Sequence, residues 1–183
     1  MNIDALAEEI KNCKRCGLWK TRKNPVPGKG GFRKKIMLVG EAPGYWEDEK
    51  GEPFVGRAGK LLDELLKKGG LSRDDVFITN VLKCRPPNNR DPKPEEIEAC
   101  KVWLEKQLEI LRPKIIITLG RFSWKWFCQR FGLKYIPLSQ VHGMVFRVND
   151  IVLIPMYHPA LGLYNPQKKE EMMKDWEKVR DII

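Results

Sequence analysis

The chain has 183 residues, of which 42% are hydrophobic and 32% charged, a length that suits one sizeable core and is short for two domains. No apolar run approaches the roughly 20 residues needed to span a bilayer, and Met1 to Lys11 holds no signal-peptide core, so a membrane role is set aside and a cytoplasmic location is expected. Lys plus Arg number 34 against 24 Asp plus Glu, a formal charge of +10 that favours a polyanionic partner over a neutral one, a solvated basic surface being the alternative.

Asp4 to Asn12 reads as a short helix ending near Cys13. Lys35 to Gly40, an apolar and β-branched run, is the first strand, and Leu61, Leu62, Leu65 and Leu66 give one apolar face to a helix over Arg57 to Lys68. Gly69 and Gly70 stop that helix. Asp75 to Leu82 is a second strand, and the four prolines and two asparagines of Cys84 to Pro94 make a long loop. Pro94 suits the first turn of a helix running to about Leu111. Lys114 to Leu119 is a third strand, apolar enough to be covered on both faces, and a short aromatic helix follows over Phe122 to Phe131. Met144 to Val148 and Ile151 to Met156 flank Asn149-Asp150 as a hairpin or bent strand pair, and a last helix runs from about Pro166 to Ile183. Strands alternating with helices predict a single domain of α/β class, a three-layer α/β/α sandwich around a mainly parallel four-stranded sheet. Right-handed crossovers gather the loops that follow the strands at one edge, with Glu41, Phe54, Asn80 and His158 among them.

The five cysteines read as metal ligands or buried thiols, because a reducing compartment disfavours disulfides. Cys13 and Cys16 form a C-x2-C half-site, and Cys84 and Cys100 supply a second, wider pair. Zinc and a [4Fe-4S] cluster both accept four thiolates, and the spacing does not choose between them. Cys128, inside the aromatic helix, is read as a core thiol.

The most informative stretch is Gly40-Glu41-Ala42-Pro43-Gly44, then Glu47-Asp48, then Gly51-Glu52-Pro53-Phe54-Val55-Gly56-Arg57-Ala58-Gly59. It leaves the first strand, where α/β sheets bind ligands, and carries carboxylates and an aromatic residue that core packing does not ask for. A second motif, Met156-Tyr157-His158-Pro159-Ala160, follows the last strand. Together these segments resemble the two motifs of the uracil-DNA glycosylases, in particular the iron-sulfur-containing family 4 (type a) enzymes, and the resemblance runs from Cys13 to Asn165.

The resemblance implies an enzyme that flips uracil out of single- or double-stranded DNA and hydrolyses it from the sugar in base excision repair. It implies that Phe54 stacks on uracil beside the Gly40 and Ala42 backbone, and that His158 donates a hydrogen bond to uracil O2 and steadies the departing anion. The side-chain amide of Asn80 has the donor and acceptor needed for the O4/N3 edge. Glu41 stands where family 1 glycosylases place a water-activating aspartate. Glu47 is a second candidate, for that electrostatic role or for walling the pocket against the thymine methyl, and Asp48 is read as loop scaffolding. Cys13, Cys16, Cys84 and Cys100 fall at the positions that hold a [4Fe-4S] cluster in the family.

The basic loop that contains Arg85, Asn89 and Arg90 is expected to face DNA; it has no histidine, which argues against relatives that bond covalently to the abasic product there. After His-Pro-Ala the family continues with a bulky run, whereas this chain has Gly162, so Leu161 or Leu163 is the expected wedge into the gap left by the flipped base. Lys60, where Gln is common, is a lesser departure. No lysine is placed by the motifs to form a Schiff base, so the expected reaction is hydrolysis alone. A glycosylase that also takes hypoxanthine or xanthine is the rival enzyme, and a noncatalytic, metal-stabilised nucleic-acid-binding module is the rival of another class. A monomer is expected, with a sliding clamp as a candidate partner.

Overall fold

A computed structural model describes residues 1–183. Its centre is a five-stranded sheet in the order β2-β1-β3-β5-β4, formed by β1 (Ile36–Gly40), β2 (Val76–Asn80), β3 (Ile115–Leu119), β4 (Phe146–Val148) and β5 (Ile151–Met156). The four expected strands β1, β2, β3 and β5 are mutually parallel, and the first arm of the expected hairpin adds β4 as a fifth, antiparallel edge strand. The sheet is therefore one strand wider than four, because Asn149, with φ 53°, reverses the chain tightly enough for Phe146 to reach Leu153. All residues of β1, β2 and β3 are buried, as a parallel sheet covered on both faces requires.

Seven α-helices surround the sheet: α1 (Ile3–Lys11), α2 (Tyr45–Lys50), α3 (Arg57–Lys68), α4 (Pro94–Leu111), α5 (Arg121–Phe131), α6 (Leu138–Val141) and α7 (Pro166–Val179). Helix α3 packs on α7 and α1 on α4, which gives the three-layer α/β/α arrangement. The short helices α2 and α6 lie where the sequence pattern predicts only loop, since neither is long enough to show a helical period. The final helix stops at Val179, short of Ile183. No helix is long and apolar enough to cross a membrane.

Most of the core is one apolar cluster built on the sheet and on α3, α5 and α7, with Cys128 inside it. A smaller cluster joins Leu6, Ile10, Leu18, Leu82 and Trp103 to Cys84 and Cys100. The N-terminal segment is thus seated on its own apolar patch, beside the cysteines.

The strand order places the functional edge. From β1 the chain moves outward to β2, then returns to the other side of β1 as β3. Loops diverge above that reversal and leave the crevice where open α/β sheets bind ligands. The loop after β1 is fastened there by Arg73, whose guanidinium donates to the Phe54 carbonyl at 2.6 Å, to Pro53 O at 3.2 Å and to Gly59 O at 3.3 Å. The first turn of α3 passes so close that a Cβ at Gly59 would collide with the Phe54 carbonyl. Gly59→Ala is expected to cost about 1–3 kcal/mol through overpacking, seen as a lower midpoint in thermal or chemical denaturation, with the loop after β1 the first region to lose amide-exchange protection.

Candidate active site

One cleft of about 530 Å³ opens at the C-terminal edge of the parallel strands, and its lining includes Glu41, Ala42, Phe54, Asn80 and His158. Each enters from a different segment. Glu41 leaves β1, Asn80 ends β2 in register with Gly40, Phe54 comes from the loop between α2 and α3, and His158 follows β5.

Phe54 is buried and adopts φ 51°, a conformation that L-residues hold only when the surroundings impose it. Its ring stacks on His158 with centroids 5.5 Å apart and planes inclined by 28°. Gly40 lies beneath both this ring and the Asn80 amide; a Cβ at residue 40 would sit 2.5 Å from Asn80 Oδ1 and 3.0 Å from the Phe54 ring. Glycine there keeps the floor of the cleft open. Asn80 is 2% exposed, and its Oδ1 accepts no hydrogen bond from the protein. A buried, unspent amide oxygen is costly and marks a place built for a polar partner.

The His158 ring accepts from the Ala160 backbone N–H at Nδ1, 3.1 Å away. That bond leaves Nε2 as the protonated nitrogen of the neutral ring. Burial pushes the imidazole down to about 4, only partly countered by Glu47, so His158 is a neutral donor at physiological pH.

The two glutamates of the loop differ in their surroundings. Glu47 Oε1 accepts from Gly44 N at 3.0 Å, and Oε2 accepts from Val55 N and Gly56 N, both at 2.9 Å. Its carboxylate is thereby spent on bracing the two turns of the loop. Glu41 instead lies against the first turn of α5, close enough that a Cβ on Gly120, which has φ 100°, would strike its carboxylate. Burial raises the Glu41 carboxyl above the usual range, while the Phe122 and Arg121 N–H groups and the Arg121 charge favour the ion. A helix N-terminus stabilises an anion in this way. Asp48 is scaffolding, as expected: it accepts from Lys23 N at 2.8 Å and Asn24 N at 3.1 Å.

Of the residues expected to face DNA, Arg85 and Asn89 are joined to each other, Arg85 Nε donating to Asn89 Oδ1 at 2.7 Å. Arg90 is committed elsewhere, donating two 2.8 Å bonds to the buried Glu96 carboxylate. Leu161 is 43% exposed beside the cleft, whereas Leu163 is partly buried against the core. The glycine between them has a packing reason: a Cβ on Gly162 would press on Leu61 at 3.0 Å and on Met172 at 3.1 Å. A bulky residue would not fit there, so the exposed apolar tip moves to Leu161.

Lys83 carries a role that sequence reading missed. It is 1% exposed, and its ammonium donates to the Asn80 carbonyl at 2.6 Å and to Thr79 Oγ1 at 2.7 Å. Burial lowers it to about 8, against the pull of Cys100 and Cys84. This buried cation ties the strand end that carries Asn80 to the cysteine region. A surface-type residue in a basic stretch gave no sign of that.

Cys13, Cys16, Cys84 and Cys100 line one small cavity together with Leu18, Leu82 and Trp103. The Trp103 indole N–H lies 3.2 Å from Cys13 Sγ, and Arg22 lies 3.3 Å from Cys84 Sγ, donors of the kind that thiolate ligands receive. No three His, Cys, Asp or Glu side chains converge as a site for a single metal ion. Burial raises the thiols of Cys84 and Cys100, the latter to about 12.

Comparison with known proteins agrees with this geometry. Residues 27–180 match the family model described as the uracil DNA glycosylase superfamily. The chain is 50% identical over 185 residues to a type-4 uracil-DNA glycosylase of Archaeoglobus fulgidus, covering 99% of this chain and 93% of that one. It is 40% identical over 184 residues to a type-4 uracil-DNA glycosylase of Thermotoga maritima, covering 99% and 94%. A type-5 uracil-DNA glycosylase of Pyrobaculum aerophilum is 31% identical over 166 residues, covering 82% and 72%. With cleft residues from four segments meeting at the sheet edge and relatives matched along nearly its whole length, the chain belongs to the uracil-DNA glycosylase superfamily, in its type-4 branch.

Proposed function

We propose that the protein is a monofunctional uracil-DNA glycosylase that flips deoxyuridine out of DNA and hydrolyses its glycosidic bond, leaving an abasic site for base excision repair. The observation that carries this reading is the meeting, in one cleft, of the Phe54 ring, the unspent Asn80 amide, the neutral His158 imidazole and the Glu41 carboxylate.

In this reading uracil lies on Phe54, and the Asn80 amide reads its O4/N3 edge. As the bond between C1′ and N1 breaks, the electron pair stays on the base, and the His158 Nε2–H donates to O2 where the charge collects. A neutral donor steadies the anion without protonating it, an interaction that strengthens as charge develops. The Glu41 carboxylate faces the sugar cation and orients the water whose oxygen bonds to C1′; the water's proton passes through Glu41 to solvent. Glu47 holds the loop in shape. No lysine lines the cleft, which supports hydrolysis without a lyase step.

The four cysteines are assigned to a [4Fe-4S] cluster. Their shared cavity and the N–H···S donors suit a thiolate-held centre, and the choice of a [4Fe-4S] cluster over zinc rests on the family resemblance of the four positions. Such a cluster, held by Cys13, Cys16, Cys84 and Cys100, would supply a covalent staple between the N-terminal segment and the loop that begins at Cys84.

Incubation of the protein with an oligonucleotide carrying one deoxyuridine, followed by alkali, is expected to give cleavage at uracil and none at thymine or hypoxanthine. His158→Ala is expected to lower kcat by roughly 10²–10³-fold, the loss typical of removing one anion-stabilising donor. Cleavage of intact hypoxanthine substrate at a similar rate would replace this reading with the broader one.

The pH profile separates the two ionisable groups. Glu41 must be ionised, and its raised carboxyl loses that charge as pH falls through a value above the usual carboxylate range. His158 stays neutral down to about 4. Activity is expected to rise with pH through an acid limb that Glu41→Gln abolishes; a limb between pH 6 and 7 that survives in Glu41→Gln would contradict the assignment.

Protein isolated without oxygen is expected to hold about four iron and four sulfide per chain, the content of the cluster type. Cys84→Ser or Cys100→Ser should lower that content and loosen residues 1–23 in amide exchange. Stoichiometric zinc in place of iron would sink the cluster assignment.

A further inference from the structure

Tyr45 and Trp46 are large aromatic residues left 49% and 55% exposed, and both line the mouth of the cleft that holds Glu41, Phe54, Asn80 and His158. Nothing in the reaction derived above uses them. They stand edge to face with ring centroids 5.0 Å apart, on a short helix that is braced from both sides. Glu47 fastens it to Gly44, Val55 and Gly56, and Asp48 fastens it to Lys23 and Asn24. Two exposed aromatic rings on a rigid mount are preorganised for a flat ligand.

Their surroundings specify the ligand's charge. The Arg85 guanidinium lies over the Tyr45 ring at 5.4 Å and is fixed by Asn89. A second pair of the same kind is made by Arg57, another residue of the cleft lining. Its guanidinium lies over the Tyr164 ring at 5.3 Å and donates to the Tyr164 hydroxyl at 2.8 Å, and Tyr164 is 78% exposed. The cleft thus has tyrosine–arginine pairs among the residues at its rim, on a chain whose net charge is +10. Aromatic faces alternating with guanidinium groups match a single nucleic-acid strand, whose bases stack and whose phosphates pair with cations.

We propose that Tyr45 and Trp46 form a stacking platform for a base next to the flipped uridine, with Arg85 and Arg57 holding the adjoining phosphates, so that the protein engages a single strand around the lesion. The inference rests on the glycosylase reading of the cleft. In a duplex the neighbouring base is already paired with the opposite strand and stacked within the helix, so the platform acts most strongly where the strand is unpaired.

The test uses the intact protein and single-stranded oligonucleotides with one deoxyuridine, in which the base on one side or the other is replaced by an abasic analogue. For the wild type, loss of the stacked neighbour is expected to raise KM about tenfold, within the range for one base–aromatic stack, and kcat should change little. Trp46→Ala is expected to show the raised KM on the unmodified strand and no further rise when the neighbour is removed. Trp46→Phe, which keeps an aromatic face, should restore most of the loss, and the effect should shrink on duplex DNA. Equal penalties for the abasic neighbour in wild type and Trp46→Ala would overturn the proposal, as would a KM in Trp46→Ala equal to that of the wild type.

A second measurement separates this inference from the reaction itself. A uracil-free oligothymidylate should quench tryptophan fluorescence, and Trp46→Phe should lose most of the quench. Quenching without any base excision would leave the platform standing while removing the uracil reading; excision without a Trp46-dependent quench would do the reverse.

Discussion

The cleft depends on the position of one aromatic ring. Phe54 has a backbone conformation that it would not adopt alone, and it is kept there by an arginine bonded to its carbonyl and by a glycine that lets α3 pass against it. The ring then sets the place of the His158 imidazole, which stacks on it, and the limit of side-chain size at Gly40. Hydrogen bonds from a charged donor are worth about 1.5–3 kcal/mol each, comparable to the cost of holding one residue at a rare φ. The Arg73 contacts and the packing of the ring are together sufficient to offset that strain.

Burial acts in opposite senses on two titratable groups that line the cleft, Glu41 and His158. It raises the Glu41 carboxyl and lowers the His158 imidazole, and in both cases it favours the neutral form. The first turn of α5 opposes this for Glu41 alone. The protein therefore has a means of keeping one group ionised and the other neutral within a single cleft, which is the pattern required of groups assigned different roles. Because the turn belongs to the helix after β3 while Glu41 follows β1, this difference exists only at the place where the strand order reverses.

The cysteine region is joined to that edge by short covalent and polar links. Cys84 is four residues from Asn80, and Lys83 between them is bonded to the Asn80 carbonyl from within the core. Cys100 lies on α4, whose Gln107 donates to Pro27 O at 2.7 Å and so helps hold the segment that covers β2. The basic loop and the N-terminal segment are consequently oriented by the same elements that place the Asn80 amide.

The strand and helix pattern, the parallel sheet and the identities of Glu41, Phe54, Asn80, His158 and the four cysteines were all legible in the sequence, because long apolar periods and ordered motifs are local properties of the chain. Helix α2 was not legible, since six residues carry no helical period, and with it were hidden the exposed Tyr45 and Trp46. The different states of Glu41 and Glu47 were equally out of reach: two glutamates six residues apart look alike until one is found beside the turn of α5 and the other against the N–H groups of residues 44, 55 and 56. The same holds for Lys83, which the fold buries, and for Arg90, whose guanidinium it commits to the Glu96 carboxylate. Sequence determined which side chains are available to the cleft. Tertiary structure alone decided which of them are free to act, because freedom depends on the hydrogen bonds and burial supplied by residues distant along the chain.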